Sequence, residues 1–167
     1  MSTIRCTTWK SPLGDLLIAA SDAGLIGAWF VGQRHFAGAE SAWKTDATNA
    51  TLREAVRQLQ GYFEGHARAF DLPLDPRGTP FQRAIWRAIA TVPYGATTTY
   101  AALADRAGAA GAARAAGAAT GRNPLSIIVP CHRIVGMHGA LTGYAGGLDR
   151  KRALLALESG AVQRRAA

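Results

Sequence analysis

The stretch Leu72-Pro-Leu-Asp-Pro-Arg-Gly-Thr-Pro80 divides this chain of 167 residues into two parts. Three prolines and a glycine within nine residues cannot continue a helix or a central strand, so the stretch predicts a boundary. A chain of this length can form one ordinary domain or two small ones. We therefore predict two domains, at residues 1–78 and 79–167.

Before the boundary, the apolar pattern predicts strands and one helix. The apolar runs at residues 15–20 and 25–30 flank Ser21-Asp22-Ala23-Gly24, which is typical of a β-hairpin. Residues 33–50 are weakly patterned and predict a loop. Apolar residues then recur at helical spacing from Leu52 to Phe63, with Thr51 as a candidate N-cap. Residues 70–74 predict another strand.

Beyond the boundary, the pattern predicts helices. Thr79 can cap a helix that has Pro80 at its first position, and Pro93-Tyr94-Gly95 ends the apolar face that follows. Residues 99–107 and 112–120 predict two short helices joined by a glycine-containing turn. That is the arrangement of a helix-turn-helix.

The second of these short helices is unusually bare, because alanines and a glycine surround its one charged residue, Arg114. Recognition helices that read the major groove usually carry long polar side chains for the base edges. This helix could be a packed core helix, or it could lie close in a minor groove with Arg114 as the single projecting group. The residues alone leave both possibilities open.

Asp149 can cap a last helix that ends at Glu158, with Gly160 as its stop. Glu158 would then lie in the last turn, where the helix dipole disfavours a negative charge. A solvated glutamate tolerates this position at small cost. A functional glutamate there would have a cationic partner, such as a protonated histidine.

Positive charge is concentrated in the second half of the chain. Residues 1–78 carry eight basic and eight acidic side chains. Residues 79–167 carry eleven basic and three acidic side chains, which accounts for the whole net charge of +8. A one-sided basic domain is the electrostatic footprint of a nucleic-acid binder. We therefore predict that the second half binds a polyanion.

The composition does not indicate a membrane protein or a disulfide-rich protein. No uncharged apolar run approaches the length of a membrane span, and the N-terminus lacks the apolar core of an export signal. The chain has only two cysteines, Cys6 and Cys131. We therefore expect no disulfide framework and a cytoplasmic location.

A cysteine, a histidine and an arginine follow directly after the β-branched run Ile127-Ile-Val129 and Pro130. The run predicts a buried strand that Pro130 ends. Cys131 would then lie just past a rigid strand end, beside an imidazole and a guanidinium that both favour its nucleophilic thiolate. The alternative is a buried cysteine that acts as a small hydrophobic residue, and spacing alone leaves the choice even.

Together these motifs resemble the O6-alkylguanine-DNA alkyltransferases, also called methylated-DNA–protein-cysteine methyltransferases. The likeness covers nearly the whole chain and is most specific in Pro130-Cys-His-Arg133 with Asn123-Pro124 upstream. The other matching pieces are Ser11–Gly14, Tyr62-Phe63, Gly78–Gln82, Pro93–Gly95, Ala113–Ala115, Gly143-Tyr144 and Glu158. The resemblance implies an α+β fold. A small ribonuclease-H-like α/β N-terminal domain would pack on a mostly α-helical C-terminal domain with a helix-turn-helix.

The resemblance also implies a function, the direct repair of O6-alkylguanine in duplex DNA. The base would flip out through the minor groove, and Cys131 would take the alkyl group irreversibly, once per molecule. His132 would act on Cys131 through a bridging water, and Glu158 would orient His132. Tyr100 would donate its hydroxyl to the departing guanine. Asn123 would be the family's hinge between the recognition helix and the segment before Cys131.

Further positions match the family's contacts to substrate and DNA. The backbone around Tyr144 and Ala145 would donate an N–H to O6, and the backbone near Ile134 would accept from the base. Arg114 would be the finger that fills the gap left by the flipped base. The DNA-binding positions implied by the resemblance are Ala112, Ala113, Arg114, Ala115, Gly117 and Arg122.

We expect no metal and no cofactor. Some members of the family hold a structural zinc between cysteines and histidines, whereas the first domain here offers only Cys6, His35 and His66. Ala145 stands where many relatives have serine, so a side-chain hydroxyl contact is lost while the backbone donor remains. We expect a monomer in solution that binds double-stranded DNA and no membrane. The sequence leaves open whether molecules bind DNA cooperatively.

Three other functions fit the residues less well. A non-catalytic protein that binds alkylated DNA lacks the cysteine that is present here. A helix-turn-helix regulator needs base-reading side chains on its second helix, which supplies only Arg114. A cysteine hydrolase of small substrates gives no reason for the basic half or for the bare helix.

Overall fold

The computed structural model describes residues 2–160, and the chain divides into two compact units. The first consists of the residues up to 77 together with 124–128, and the second of residues 78–123 together with those from 129 on. Residues 124–128 return to the first unit because they lie along the edge of its sheet: the backbone of Ala28 bonds to both Pro124 and Ser126, at 2.8 and 2.9 Å. None of the described helices has the length and apolarity needed to cross a bilayer.

A four-stranded sheet forms most of the first unit, in the order β3-β2-β1-β4. The strands are β1 (Arg5–Ser11), β2 (Gly14–Ala20), β3 (Leu25–Phe30) and β4 (Lys44–Thr45). The predicted hairpin is confirmed as the antiparallel pair β2–β3, with Leu16 opposite Phe30. β4 pairs parallel to β1 and falls within residues 33–50, where the sequence predicted only a loop.

Both faces of β2 are buried, which explains its continuous apolar run. On one face, helix α1 (Ala50–Phe63) packs against the sheet, with the Phe63 ring 6.0 Å from that of Trp9. On the other face lies an apolar cluster, to which Phe36 and Trp43 contribute from the loop before β4. The buried members of that cluster are Ile4, Cys6, Leu17, Ala19 and Ile26.

Two local predictions in the first unit were wrong. α1 is capped by Asn49, whose side chain accepts from the backbone N–H of Leu52 at 3.1 Å, and not by Thr51. Residues 70–74 form no strand, because only Leu74 makes an isolated bridge, to Leu25. The proline before Leu74 has no N–H to extend the pairing.

Helices dominate the second unit. They are α2 (Pro80–Ala90), α3 (Tyr100–Arg106), α4 (Ala113–Gly121) and α5 (Leu148–Glu158). Two short strands, β5 (Thr98–Thr99) and β6 (Ile134–Val135), pair in parallel. The last helix was predicted correctly, except that Gly147 and not Asp149 is its N-cap.

The predicted helix-turn-helix is confirmed as α3 and α4. Gly108 and Gly111 in the turn between them have φ values of 75° and 82°, a region that glycine adopts without steric cost. α4 is packed on one face, where the indole N–H of Trp86 in α2 donates to the carbonyl of Ala119 at 2.8 Å. Its opposite face, with Arg114, is exposed. One face of α4 is thus that of a packed core helix, and the approach of the exposed face to a minor groove stays a prediction.

We predict that Thr79→Ala lowers the free energy of unfolding by about 1 kcal/mol. The Thr79 side chain accepts from the backbone of Gln82, whose side chain accepts from the backbone N–H of Thr79, so α2 starts with both bonds of a capping box. Urea unfolding measures the change. Thr79→Ser keeps the hydroxyl and should retain most of the stability, so equal losses in the two variants would contradict the cap.

Candidate active site

The segment before Cys131 is buried, but it is not a strand, so the predicted strand was wrong. Ile127 has a φ of 72°, and the N–H of residue 128 bonds to the carbonyl of residue 126 at 2.8 Å. At Pro130 the chain turns again, since the N–H of Cys131 bonds to the carbonyl of Val129 at 2.8 Å. β-branched residues rarely adopt a positive φ. Two successive tight turns, and not an extended strand end, therefore place Cys131.

Asn123 joins these turns to the helix-turn-helix. It follows directly after α4, it is buried, and its side-chain amide donates to the carbonyl of Val129 at 2.9 Å. Its side chain also hydrogen bonds to Cys131. The arrangement fits the hinge position that the resemblance implied.

Cys131 is only 6% exposed and begins a one-turn 3-10 helix that runs to Arg133. Burial raises the pKa of the Cys131 thiol, although the hydrogen bond to Asn123 and the positive charge of Lys151 oppose this effect. The expectation that the adjacent imidazole and guanidinium lower this pKa was wrong. Both of those side chains are bound to Glu158 instead.

Glu158 ends α5 and is the centre of a buried cluster, with its side chain only 1% exposed. It accepts from Nε2 of His132 at 2.7 Å and from Nε and Nη2 of Arg133 at 2.9 and 2.8 Å. Arg133 also donates to the carbonyl of Val92 at 2.7 Å. The cation that stabilises this carboxylate at a helix end is thus Arg133, not a protonated histidine.

The charges in this cluster decide where the proton of His132 lies. Burial would raise the pKa of Glu158, but the hydrogen bonds from His132 and Arg133 outweigh it and lower this pKa to about 2. Burial lowers the pKa of His132, so its ring is neutral. A carboxylate can only accept, so Nε2 carries the proton. Nδ1 of His132 then has a lone pair and, among the described residues, no hydrogen-bond partner.

Sequence reasoning missed Lys151, which is fully buried. Its ammonium donates to the carbonyls of Ile134, Thr142 and Gly143 at 2.6, 3.1 and 3.1 Å. Burial lowers the pKa of Lys151, whereas the negative charge of an ionised Cys131 raises it. The sequence holds only a weak signal for a buried lysine at this position. Lys151 is the single lysine of the second half and lies two helical turns before Glu158, on the same face of α5.

The structure places Tyr100 near Cys131, at the first position of α3. The Tyr100 hydroxyl donates to the carbonyl of Thr142 at 3.2 Å. Burial raises the pKa of Tyr100, and the negative charge of an ionised Cys131 raises it further. The three predicted backbone contacts lie on β6 and in the loop before α5: Ile134, Tyr144 and Ala145. Ile134 is buried, while Tyr144 and Ala145 are half-buried.

The predicted DNA-binding residues lie on α4 and at its two ends. Arg114 and Ala115 are exposed, as is Arg122 at the C-cap. Gly117 faces Tyr100, because a Cβ added at this glycine would lie 3.6 Å from the aromatic ring. The remaining two, Ala112 and Ala113, are half-buried. α4 thus lies against Tyr100 through the half-buried Gly117.

Among residues 2–160, no three histidine, cysteine or acidic side chains come together in a way that could hold a metal ion. The predicted absence of a zinc site stays a prediction. Both cysteines are free.

Comparison with known proteins decides the family. Residues 4–76 match the family described as 6-O-methylguanine DNA methyltransferase, ribonuclease-like domain. Residues 80–160 match 6-O-methylguanine DNA methyltransferase, DNA binding domain. The chain belongs to the O6-methylguanine-DNA methyltransferase family. The two-domain α+β fold and the family resemblance predicted from the sequence are confirmed.

Relatives of the same length support this O6-methylguanine-DNA methyltransferase assignment. The methylated-DNA–protein-cysteine methyltransferase of Mycolicibacterium paratuberculosis is 48% identical over 155 residues, which cover 93% of this chain and 92% of the relative. That of Methanosarcina acetivorans is 44% identical over 150 residues, covering 90% and 95%. The crystal structure of Mycobacterium tuberculosis OGT in complex with DNA superimposes with a TM-score of 0.85 at 46% identity, covering 95% of this chain and 93% of that one. The predicted activity, alkyl transfer from DNA to a protein cysteine in DNA repair, is confirmed.

We predict that acid destabilises this protein largely through Glu158. Its pKa of about 2 in the folded protein lies below its ordinary value of 4.5, so its contribution is complete above about pH 4.5 and is lost as the pH falls towards 2. Glu158→Gln should lower the free energy of unfolding at pH 7 by about 3–5 kcal/mol, because Arg133 is left as an unpaired buried charge. Its unfolding should also depend less on pH in this range.

Urea unfolding over a pH series measures both effects. Glu54→Gln is the matched control, because Glu54 also has a pKa lowered to about 2 by its hydrogen bond to Arg57 but is exposed on α1. Solvent screens such a pair, so little change is expected. A Glu158→Gln protein as acid-sensitive as the parent would contradict the role of the carboxylate.

Proposed function

We propose that Cys131 accepts the alkyl group when this chain repairs O6-alkylguanine in duplex DNA. The observation that supports the proposal is the set of side chains around the Cys131 sulfur. Cys131 is hydrogen-bonded to the side chain of Asn123 and lies near the ammonium of Lys151. It is adjacent in sequence to His132, a neutral histidine whose Nδ1 can accept a hydrogen bond. The other cysteine, Cys6, lies in the apolar cluster of the first unit.

The chemistry follows from the nature of the damage. The carbon attached to O6 of guanine is an electrophile, and a thiolate is a soft nucleophile suited to attack it in line with the departing oxygen. The S–C bond forms as the C–O6 bond breaks, and the electron pair of that bond passes to the guanine, which takes up a proton. Cys131 keeps the alkyl group as a thioether. A thioether is a poor leaving group, so each molecule acts once.

The proton of the thiol has to be removed, because burial raises the pKa of Cys131 and favours the thiol at rest. His132 is adjacent in the chain, so a bridging water suits its geometry better than a direct bond to sulfur. Nδ1 would accept the proton through this water. The imidazolium formed would then be stabilised by the carboxylate of Glu158, at 2.7 Å from Nε2. This is the nucleophile–base–orienter arrangement of other covalent catalysts.

The departing guanine needs hydrogen-bond donors as negative charge develops on it. Tyr100 stays protonated because its pKa is raised. Its hydroxyl would stop donating to the carbonyl of Thr142 and would donate to the guanine ring instead. Lys151 also donates to that carbonyl, so it keeps a partner after the exchange. The backbone N–H near Ala145 would bind O6. The carbonyl of Ile134 already accepts from Lys151 but has a second lone pair for the base.

α4 suits an approach through the minor groove, because its small residues let the backbone come close to DNA. Arg114 projects from its exposed face and would occupy the gap left when the base flips out. Flipping costs a few kcal/mol of unstacking, and a side chain in the gap offsets part of this cost. We further propose that the protein acts in the cytoplasm as a monomer, without a cofactor.

We predict one methyl group per molecule after incubation with excess duplex that contains O6-methylguanine. Intact mass measurement followed by peptide mapping should place the methyl group on Cys131. Cys131→Ser should abolish transfer, whereas the matched variant Cys6→Ser should be methylated as the parent is. Repeated turnover, or methylation at any other residue, would rule out the proposed acceptor.

We predict that Arg114→Ala slows repair of duplex DNA roughly tenfold or more, because unstacking is no longer offset. Its reaction with free O6-benzylguanine, which involves no base flipping, should change far less. Arg106→Ala removes the same charge from α3 and serves as the control for general electrostatics. Rate measurements with both substrates decide the point. Equal losses with duplex and free base would contradict the finger role.

A further inference from the structure

A tight hairpin turn, residues 136–140, follows directly after β6 and contains a one-turn 3-10 helix, Met137–Gly139. Three backbone N–H to carbonyl hydrogen bonds hold it. They run from Gly136 to Ala140 at 2.8 Å, from Gly139 to Gly136 at 3.2 Å and from Ala140 to Met137 at 3.3 Å. His138 at its tip has a φ of 60°. Met137 is 71% exposed, more than any other large hydrophobic side chain among the described residues.

The 136–140 hairpin adjoins the Cys131 site. A Cβ added at Gly136 would lie 3.4 Å from the methyl group of Thr142, so the base of the hairpin packs on that residue. The carbonyl of Thr142 accepts from both Tyr100 and Lys151. The hairpin therefore lies at the rim of the space that a flipped base would enter.

Two separate elements meet at Tyr100. α4 approaches the ring through Gly117, and the segment after the hairpin reaches the hydroxyl through Thr142. Arg114 projects from α4, and Met137 projects from the hairpin that precedes Thr142. DNA that lies across the site would thus meet a cationic side chain and an apolar one.

The hairpin is organised before any ligand binds. A non-glycine residue in the left-handed region, such as His138, is held there by its surroundings at a conformational cost. The three backbone bonds and this geometry fix the direction in which Met137 leaves the hairpin. Binding then has to order the side chain of Met137 but not the backbone of the turn.

We propose that Met137 is a wedge that enters the minor groove of duplex DNA beside the alkylated nucleotide. Proteins that bend DNA from the minor groove insert apolar side chains, methionine among them, between base steps. A step that has lost its stacking partner exposes the apolar base face that such a side chain can cover. The inference rests on the proposed function, because it requires duplex DNA to lie across the Cys131 site.

The surroundings of Met137 favour DNA over a protein partner. A stable protein interface buries about 800 Å² on each side, far more than one exposed side chain provides. The half of the chain that contains the hairpin carries the whole excess of positive charge, +8. A polyanion would be attracted to this surface by charge, and Met137 would add an apolar contact within it.

Binding is tested with a fluorescent duplex containing O6-methylguanine, in a Cys131→Ser background so that no transfer intervenes. Met137→Ala should weaken binding roughly tenfold, and Met137→Leu, which restores an apolar side chain, should weaken it less than about twofold. The dependence of affinity on salt should keep the slope of the parent, because no contact to phosphate is lost. Val31→Ala is the matched control, since Val31 is 55% exposed but lies in the first unit.

If the Met137→Ala protein binds as tightly as the parent, the proposed wedge is wrong. A reduced salt slope would also contradict it, because that result would show that charged contacts had been lost instead. Failure of the wedge is distinguishable from failure of the proposed function. If Cys131 is methylated by duplex DNA while Met137→Ala binds normally, only the wedge is wrong. If the chain with Cys131 intact is not methylated at that residue, the proposed function itself fails.

Discussion

The buried ion pair between Arg133 and Glu158 is the interaction on which the rest of the site depends. Taking a carboxylate out of water costs several kcal/mol unless a countercharge with good geometry compensates. The guanidinium of Arg133 supplies this charge through two nitrogens. Glu158 therefore stays ionised and can only accept from His132, which fixes the proton on Nε2 and leaves Nδ1 as the acceptor. Arg133 thus decides, through Glu158, which tautomer His132 adopts.

Burial has opposite consequences for the pKa values of Cys131 and His132. It raises the pKa of Cys131, so the resting thiol is poorly nucleophilic towards passing electrophiles. It also lowers the pKa of His132, so the ring is neutral and able to take a proton. In the proposed reaction the thiol therefore has to lose its proton, and the charge of Lys151 favours that loss. A permanently ionised sulfur would be consumed by other reagents.

Periodicity and caps predicted the elements that local sequence controls: the hairpin β2–β3, the Thr79 cap of α2 and the pair α3–α4. Elements controlled by contacts between distant segments were missed. The run before Cys131 has the composition of a strand, yet it turns at Ile127, which has a positive φ. A lysine in a helix usually lies on the surface, and the burial of Lys151 depends on carbonyls from two other segments. Burial likewise set the direction of the Cys131 pKa, which its neighbours in sequence did not predict.

The same contacts change the meaning of the charge count. The second half has eleven basic side chains, and its excess of positive charge correctly indicated a polyanion partner. Two of those that the structure describes are buried, however, Arg133 on a carboxylate and Lys151 on backbone carbonyls. Neither is exposed to displace counterions from phosphate, so we expect any salt dependence of DNA binding to come from exposed arginines such as Arg114 and Arg122. The exposed cations are available to a polyanion, whereas the buried ones hold the Glu158 carboxylate and the carbonyls around Lys151 in place.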